Sequence, residues 1–337
     1  MAPRSHATPE HAARPAGPWP QAQDLRALHR SLALLRAVDL RSLELSQAGH
    51  AGAYMPLAGS ECVLAGVAAT LAPKDWVLPG RRQSAIALLR GLSCTAWFAQ
   101  VLGRTSDPSR GRQEPGHLGA RAVRVTSPSS IVGANLPHAT GVALAMKNAG
   151  RREVAVALAG MAAVAGPDFH VALNFAAVWG APAVFVITSG PGLEQHSASE
   201  SVAVKASAYG ITAVTCDGSD VVAVGSALEG ALERARDGGG PMLVEARVPD
   251  AGRALHVVGR DVDDDPAARL AAQLVHEGVF SEEDARATQE SVTAEVEAAA
   301  LAALALPPPP ASTLFDDVFA RRTPALDAQR VLWLKES

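Results

Sequence analysis

The chain has 337 residues, of which 48% are hydrophobic but only 4% aromatic, so its interior must consist mainly of Ala, Val and Leu. A formal net charge of −4 leaves no basic excess, which argues against a nucleic-acid partner. No apolar run approaches the roughly 18 residues of a membrane span, and the N-terminal sequence lacks a secretory signal pattern. Three scattered cysteines without paired spacing favour a reducing compartment, so we expect a cytoplasmic protein.

The first third of the chain is expected to be mainly helical. Residues 1–23 combine prolines and alanines with few large apolar side chains, and we expect a flexible arm. Apolar residues then recur at helical spacing or form Ala/Val/Leu segments. The expected helices cover residues 25–47, 60–71, 84–89 and 95–102. Residues 103–128 are dense in Gly, Pro, Arg and Ser, and a loop of that length inside a compact domain is usually functional or mobile.

The middle of the chain alternates short apolar runs with helix-length segments. The expected strands cover residues 75–78, 154–159, 183–187, 213–216 and 242–246. The helices expected between them cover residues 136–147, a segment between the second and third strands, 201–209 and 221–235. Apolar runs this short, joined by helices, are typical of parallel βαβ units. We therefore predict an α/β fold with a doubly wound, mostly parallel sheet flanked by helices.

A helical extension is expected at the C-terminal side of the sheet. One helix begins at Pro266, and a longer one covers residues 281–306 with a capping box formed by Ser281 and Asp284. Four prolines then end this helix. We therefore divide the chain into an arm (1–23), an α/β domain with C-terminal helices (24–306) and a proline-spaced tail (307–337).

The carboxyl ends of two neighbouring strands define the candidate site, because ligands of open parallel sheets bind at that edge. The first strand ends at Gly160-Met161-Ala162, and the second at Ser189-Gly190. A charged ligand requires carboxylates, amides or cations there. Asp168 is expected to cap the helix that follows. The sequence therefore places a site at this edge but gives it little polar chemistry.

Several short segments of the sequence match a known family. They include GAYMPLAGSE, GRQEPGHLG, IVGANLP, NFAAVWGAPAVFV, CDGSDVVAV and LFDDVFA. Over about residues 25–335 the chain resembles the α subunit of the thiamine-diphosphate-dependent 2-oxo acid dehydrogenase component, the decarboxylating part of pyruvate and branched-chain complexes. The resemblance implies a thiamine-diphosphate-binding fold, a β-like partner subunit in a heterotetramer, and a lipoyl acyltransferase. GRQEPGHLG is similar to the branched-chain type and IVGANLP to the pyruvate type, so the substrate class stays open.

The family's cofactor motif is altered in this chain. In the family, a Gly-Asp-Gly after the first strand and an Asn-Asn after the second hold Mg²⁺ and, through it, the diphosphate. Aligned without gaps, these positions fall on Gly160-Met161-Ala162 and Ser189-Gly190. Mg²⁺ prefers carboxylate, amide and water oxygens, whereas a thioether is a soft and poor ligand. Because Met161 and Gly190 occupy the expected ligand positions, we predict no metal site and weak or absent cofactor binding.

Only a few candidate site residues remain by resemblance. Arg82 matches the arginine of the family's Tyr-Arg-x-His phrase, and the resemblance assigns cofactor contacts to Arg82, Val132 and Gly160. An arginine beside another loop arginine is alternatively a solvated pair. His117 and His256 are each interpreted as loop histidines, and no catalytic residue is assigned.

Three functions stay open on the sequence. The favoured one is a divergent, cofactor-impaired α-subunit homologue, a pseudoenzyme that serves as partner, scaffold or regulator of a β-like subunit. The second is an active oxidoreductase that decarboxylates a 2-oxo acid through thiamine diphosphate and transfers the acyl group to a lipoyl carrier. The third is a pocket adapted to another ligand. The first is favoured because substitutions concentrate in the cofactor motif while the flanking phrases persist.

Overall fold

The structure is a computed structural model that describes residues 10–11, 20, 22–248 and 265–336. Within these residues, no helix is both long and apolar enough to cross a membrane. His256 and most of the predicted arm lie outside the described residues.

A parallel sheet forms the centre of the molecule. Its strands are β1 (Glu10–His11), β2 (Trp76–Leu78), β3 (Ala155–Gly160), β4 (Ala183–Ser189), β5 (Thr212–Asp217) and β6 (Met242–Arg247). Their order is β1-β5-β6-β4-β3-β2, and every neighbouring pair is parallel. The predicted doubly wound α/β fold is therefore confirmed. The two-residue strand β1, which pairs with Val214 and Thr215 of β5, was not predicted.

Eleven helices are found in the described residues. They are α1 (Ala22–Gln47), α2 (Glu61–Thr70), α3 (Ile86–Leu89), α4 (Cys94–Val101), α5 (Asn135–Asn148), α6 (Pro167–Trp179), α7 (Val202–Ser207), α8 (Val221–Arg236), α9 (Pro266–His276), α10 (Glu282–Leu304) and α11 (Pro324–Glu336). All but α11 were expected from the sequence, with small shifts of their ends. The predicted role of Asp168 was wrong: Gly166 is the N-cap residue of α6, and no side chain caps that helix.

The sheet separates two apolar cores, because successive side chains of a strand point to opposite faces. Helices α5, α6 and α7 cover one face, and α1, α2, α4, α8, α9 and α10 cover the other. On β3 the alanines 155, 157 and 159 face the first group, while Val156 and Leu158 face the second. These alanines fit the composition and let α5 and α6 pack close to the sheet.

The connections place a crevice between β4 and β6. Strand β4 continues into α7 on one face of the sheet, whereas β5 continues into α8 on the other. Strands β4 and β6 are neighbours, and Ser189 pairs with Arg247 at their carboxyl ends. Such a topological switch point is where doubly wound sheets bind ligands.

Helix α9 packs against α1, and α10 packs against both α1 and α4. The predicted capping box of α10 is confirmed, since the Ser281 hydroxyl accepts from the Asp284 N–H at 3.0 Å and the Asp284 carboxylate accepts from the Ser281 N–H at 3.1 Å. In the tail, Phe315 is buried and Asp317 pairs with Arg110 at 3.0 Å. The division of the chain into arm, domain and tail stays a prediction.

Candidate functional site

Asn135 organises the carboxyl ends of β2 and β3. Its side-chain amide donates hydrogen bonds to the carbonyl oxygens of Leu78 at 2.7 Å and of Leu158 at 2.8 Å. Asn135 is also the first residue of α5. One buried amide therefore joins two strand ends to a helix N-terminus and fixes the floor of the edge.

Met161 closes the edge beyond β3. The strand ends at Gly160, opposite Thr188 of β4, and the chain turns directly into a 3₁₀ helix covering Met161–Ala165. The methyl carbon of Met161 lies 3.4 Å from where a Cβ on Gly192 would stand, and Gly192 itself has a φ of +98°. The thioether therefore extends from the end of β3 to the turn that follows β4, across the gap between the strands.

The residues at the carboxyl end of β4 supply no metal ligand either. The Ser189 hydroxyl already donates to the Glu245 carboxylate at 2.7 Å, and Gly190 has no side chain. Across the described parts of the chain, no group of three or more His, Cys, Asp or Glu side chains is arranged to hold a metal ion. The donors at these strand ends do not fit magnesium bound to a diphosphate.

The residues assigned by resemblance lie in two environments. Val132 is 57% exposed, and its carbonyl oxygen lies 3.9 Å from where a Cβ on Gly166 would stand, so its loop borders the turn that begins at Gly160. Arg82 lies instead near the carboxylates of Asp39 and Glu61. Burial lowers the pKa of Arg82, and these two negative charges offset part of that shift. The role of these residues in cofactor binding stays a prediction.

His117 is buried in the long loop rather than exposed on it. Its Nε2 lies 2.9 Å from the Ser130 hydroxyl, and only 8% of the residue is exposed. Burial and the positive charge of Arg81 lower the pKa of His117. The imidazole is therefore neutral near pH 7 and serves as a packed hydrogen-bonding group of this loop.

A cavity of about 380 Å³ opens at the switch point between β4 and β6, and sequence analysis did not single out its central residue. Its lining comprises Ser189, Gly190, Leu193, Glu194, Ser197, Ala198, Ser199, Glu200, Glu245 and Arg247. Glu245 is fully buried and accepts hydrogen bonds from the hydroxyls of Ser189 and Ser201 and from the Ala203 N–H. Burial raises the pKa of Glu245, but these hydrogen bonds outweigh burial and lower it overall. The signal in the sequence was a single acid inside the apolar run MLVEAR.

The fold and its carboxyl edge define a doubly wound α/β protein of the kind that holds ligands at strand ends. Residues 29–248 match the family model described as the dehydrogenase E1 component. The chain belongs to this family.

The similar proteins include subunits of both pyruvate and branched-chain 2-oxo acid dehydrogenases. The chain is 32% identical over 292 residues to the pyruvate dehydrogenase E1 component subunit alpha of Bacillus subtilis, covering 82% of this chain and 76% of the relative. It is 30% identical over 328 residues to the mitochondrial 2-oxoisovalerate dehydrogenase subunit alpha 1 of Arabidopsis thaliana, covering 92% and 69%. It is also 30% identical over 339 residues to the 3-methyl-2-oxobutanoate dehydrogenase subunit alpha of Mycobacterium tuberculosis, covering 91% and 86%. The similarities thus span pyruvate and branched-chain enzymes without separating them.

Proposed function

We propose that the chain is a divergent α-type subunit of a dehydrogenase E1 component that has lost metal-dependent binding of thiamine diphosphate. The observation that carries this proposal is the contact of Met161 with the turn at Gly192, which puts a thioether where a hard oxygen ligand is needed. Gly190 supplies no second ligand. In this reading the chain is a non-catalytic partner of a β-like subunit, in a larger complex with a lipoyl acyltransferase.

The preserved fold supports a structural role for the chain. All predicted strands are present, and Asn135 still joins the ends of β2 and β3. The substitutions concentrate at two strand ends, while the core around them stays tightly packed. A chain that keeps its core but changes its ligand positions is suited to assembly rather than to cofactor chemistry.

Calorimetric titration with thiamine diphosphate and Mg²⁺ tests the proposal. The full chain is titrated alone and together with a β-type E1 subunit. We expect no saturable, metal-dependent binding up to about 1 mM, which corresponds to less than about 4 kcal/mol of binding free energy. Micromolar binding that disappears when Mg²⁺ is chelated would overturn the proposal.

An active dehydrogenase is the second candidate, and the extent of similarity to named dehydrogenase subunits favours it. It requires the metal to be held by backbone carbonyls, water and partner residues, with Arg82 carrying more of the phosphate charge. Release of CO₂ from pyruvate or 3-methyl-2-oxobutanoate by the chain with its β-like partner, dependent on added cofactor, would establish this function instead.

A further inference from the structure

A second cavity, of about 530 Å³, opens beside the carboxyl end of β2, between α5 and the loop that precedes this helix. Pro137, Gly141 and Ala145 recur every four residues along one side of α5 and contribute to its wall. A Cβ added to Gly141 would meet no atom within 4 Å, so the small residues of this side leave open space along the helix. The volume lies within the range of about 300–1,000 Å³ that is usual for small-molecule sites.

The lining of this cavity is mainly apolar. Leu78 at the end of β2 and Val142 of α5 add to its apolar wall. None of the described residues that line it is Asp, Glu, Lys or Arg, and His138 is the one titratable side chain among them. A charged group placed in such a space without an opposite charge loses hydration that the lining does not replace. The cavity therefore suits an uncharged and largely apolar ligand.

Asn135 directs a hydrogen-bond acceptor into this cavity. Its amide nitrogen donates to the carbonyl oxygens of Leu78 and Leu158, which fixes the orientation of the amide. Its amide oxygen accepts no hydrogen bond from the residues that the structure describes, although Asn135 is only 8% exposed. Because this oxygen is not sealed in the interior and the residue lines the cavity, the oxygen is open to it. A buried acceptor of this kind requires a donor from a ligand or from water.

We propose that this cavity binds a small, uncharged and mostly apolar molecule that carries one hydrogen-bond donor, a hydroxyl or an amide N–H, directed at the Asn135 amide oxygen. A molecule of the same size without a donor leaves this oxygen unpaired and binds more weakly. The described lining includes neither Met161 nor Gly190 and has no residue in common with that of the cavity between β4 and β6. The proposal is therefore independent of whether thiamine diphosphate binds.

A ligand-observed NMR titration of the full chain tests this assignment. The probes are 2-phenylethanol and its isomer benzyl methyl ether, which contains the same atoms but no hydrogen-bond donor. We expect saturable binding of the alcohol with a dissociation constant of about 1 mM or lower, as is usual for a ligand of this size. The ether should bind at least about tenfold more weakly.

Two glycine variants locate the binding site. Gly141→Leu adds a side chain inside the cavity, whereas Gly230→Leu adds the same side chain on α8, outside the described lining. Both glycines are exposed within helices, and a Cβ added to either would meet no atom within 4 Å. We expect Gly141→Leu to abolish binding of the alcohol and Gly230→Leu to bind it as the wild type does. Thermal unfolding verifies that both variants are folded.

Protection of an introduced thiol gives a second measure of the position. The three native cysteines are buried, whereas Ala145 is exposed and lines the cavity. Bound 2-phenylethanol should slow alkylation of Ala145→Cys by iodoacetamide. It should not slow alkylation of Gly230→Cys, whose thiol lies outside the cavity.

Three results would overturn the proposal. The first is no saturable binding of the alcohol up to about 10 mM, including the case in which Gly141→Leu instead abolishes association with a β-type E1 subunit. The second is equal affinity for the alcohol and the ether. The third is unchanged binding in Gly141→Leu. Because none of these measurements involves thiamine diphosphate, their failure is separate from failure of the proposed function.

Discussion

The Tyr54 hydroxyl donates a 2.8 Å hydrogen bond to the Asp39 carboxylate in the interior between α1 and the loop before α2. The same carboxylate oxygen accepts from the Leu57 N–H at 2.9 Å, and Asp39 is only 4% exposed. Burial raises the pKa of Asp39 to about 6, because these hydrogen bonds offset only part of the desolvation. Asp39 therefore joins α1 to the loop before α2 by hydrogen bonds, and its carboxyl group is protonated under mildly acidic conditions.

This raised pKa predicts a pH-dependent stability. Between the ordinary value of 3.8 and about 6 the folded chain holds a proton on Asp39 that the unfolded chain has lost. The free energy of unfolding therefore falls as the pH rises through this window, with an upper limit of about 3 kcal/mol from this group. Asp39→Asn stays uncharged and keeps a carbonyl acceptor. Its stability relative to the wild type should be higher at about pH 7.5 than at about pH 4.5 in urea unfolding.

Tyr54→Phe provides the control for this effect. It removes one hydrogen bond that favours the charged carboxylate, so the folded-state pKa of Asp39, and with it the upper end of the pH-dependent window, should rise while the lower end stays in place. An equal stability difference between Asp39→Asn and wild type at both pH values would contradict the assignment to Asp39.

The second prediction concerns the ion pair of the buried Asp75, directly before β2, with Arg236. The Asp75 carboxylate accepts from the Val154 N–H at 2.9 Å, the Ala72 N–H at 2.8 Å and the Arg236 guanidinium at 2.7 Å, and it is 1% exposed. Asp75→Ala leaves these donors unpaired and should lower the free energy of unfolding by about 3–5 kcal/mol. Urea unfolding measures this loss.

The exposed pair of Asp237 and Arg152 is the matched control. Their side chains are 56% and 75% exposed at a separation of 2.5 Å. Asp237→Ala should cost about 0–1 kcal/mol because water and salt screen a surface pair. Similar losses for Asp75→Ala and Asp237→Ala would show that burial does not set the contribution of Asp75.

The strands were predictable because fully buried parallel strands must be short and apolar. Residues 154–159 and 183–187 show this directly, since water touches neither of their faces. Strand β1 was missed because two residues, Glu10 and His11, form no hydrophobic pattern. Helix α11 was missed because its large apolar residues adjoin one another at 331–334 instead of recurring at helical spacing.

The candidate site was predictable in position but not in its contacts. Strand ends locate the edge, and residue types at Met161 and Gly190 exclude hard metal ligands. The reach of Met161 to Gly192 depends on the register of β3 and β4, in which Gly160 pairs with Thr188. Local patterns do not encode that register, so the contact could not be foreseen. The same holds for Glu245, whose donors come from β4 and α7.

Glu245 carries a third prediction. It is fully buried, accepts hydrogen bonds from neutral donors, and lies 3.7 Å from the Nε of Arg247. Glu245→Gln turns an amide N–H₂ toward groups that donate, which should lower the free energy of unfolding by about 1–3 kcal/mol near pH 7.

The loss of stability in Glu245→Gln should depend on pH. Hydrogen bonds hold the pKa of Glu245 below its ordinary value of 4.5, so its stabilising effect is present above that pH and is lost as the pH falls through the folded-state pKa. The difference between wild type and Glu245→Gln in urea unfolding should therefore shrink below about pH 4. A difference that stays constant down to about pH 3 would contradict the lowered pKa of Glu245.

The fourth prediction restores the ligands that the strand ends lack. Met161→Asp with Gly190→Asn supplies a carboxylate and an amide oxygen at the ends of β3 and β4 and removes the thioether that reaches Gly192. We expect the double variant to bind thiamine diphosphate at least about tenfold more tightly with Mg²⁺ than without it, a difference of about 1.4 kcal/mol. The wild type should show no such dependence in the same calorimetric titration.

Met161→Leu with Gly190→Ala is the control, because it changes both positions without adding an oxygen ligand. If the Asp/Asn variant gains metal-dependent binding and this control does not, the missing oxygen ligands account for the loss of cofactor affinity. If neither variant differs from a wild type that already binds the cofactor, Met161 and Gly190 do not limit binding. The metal would then be held by other groups, which favours the active dehydrogenase over the cofactor-impaired partner.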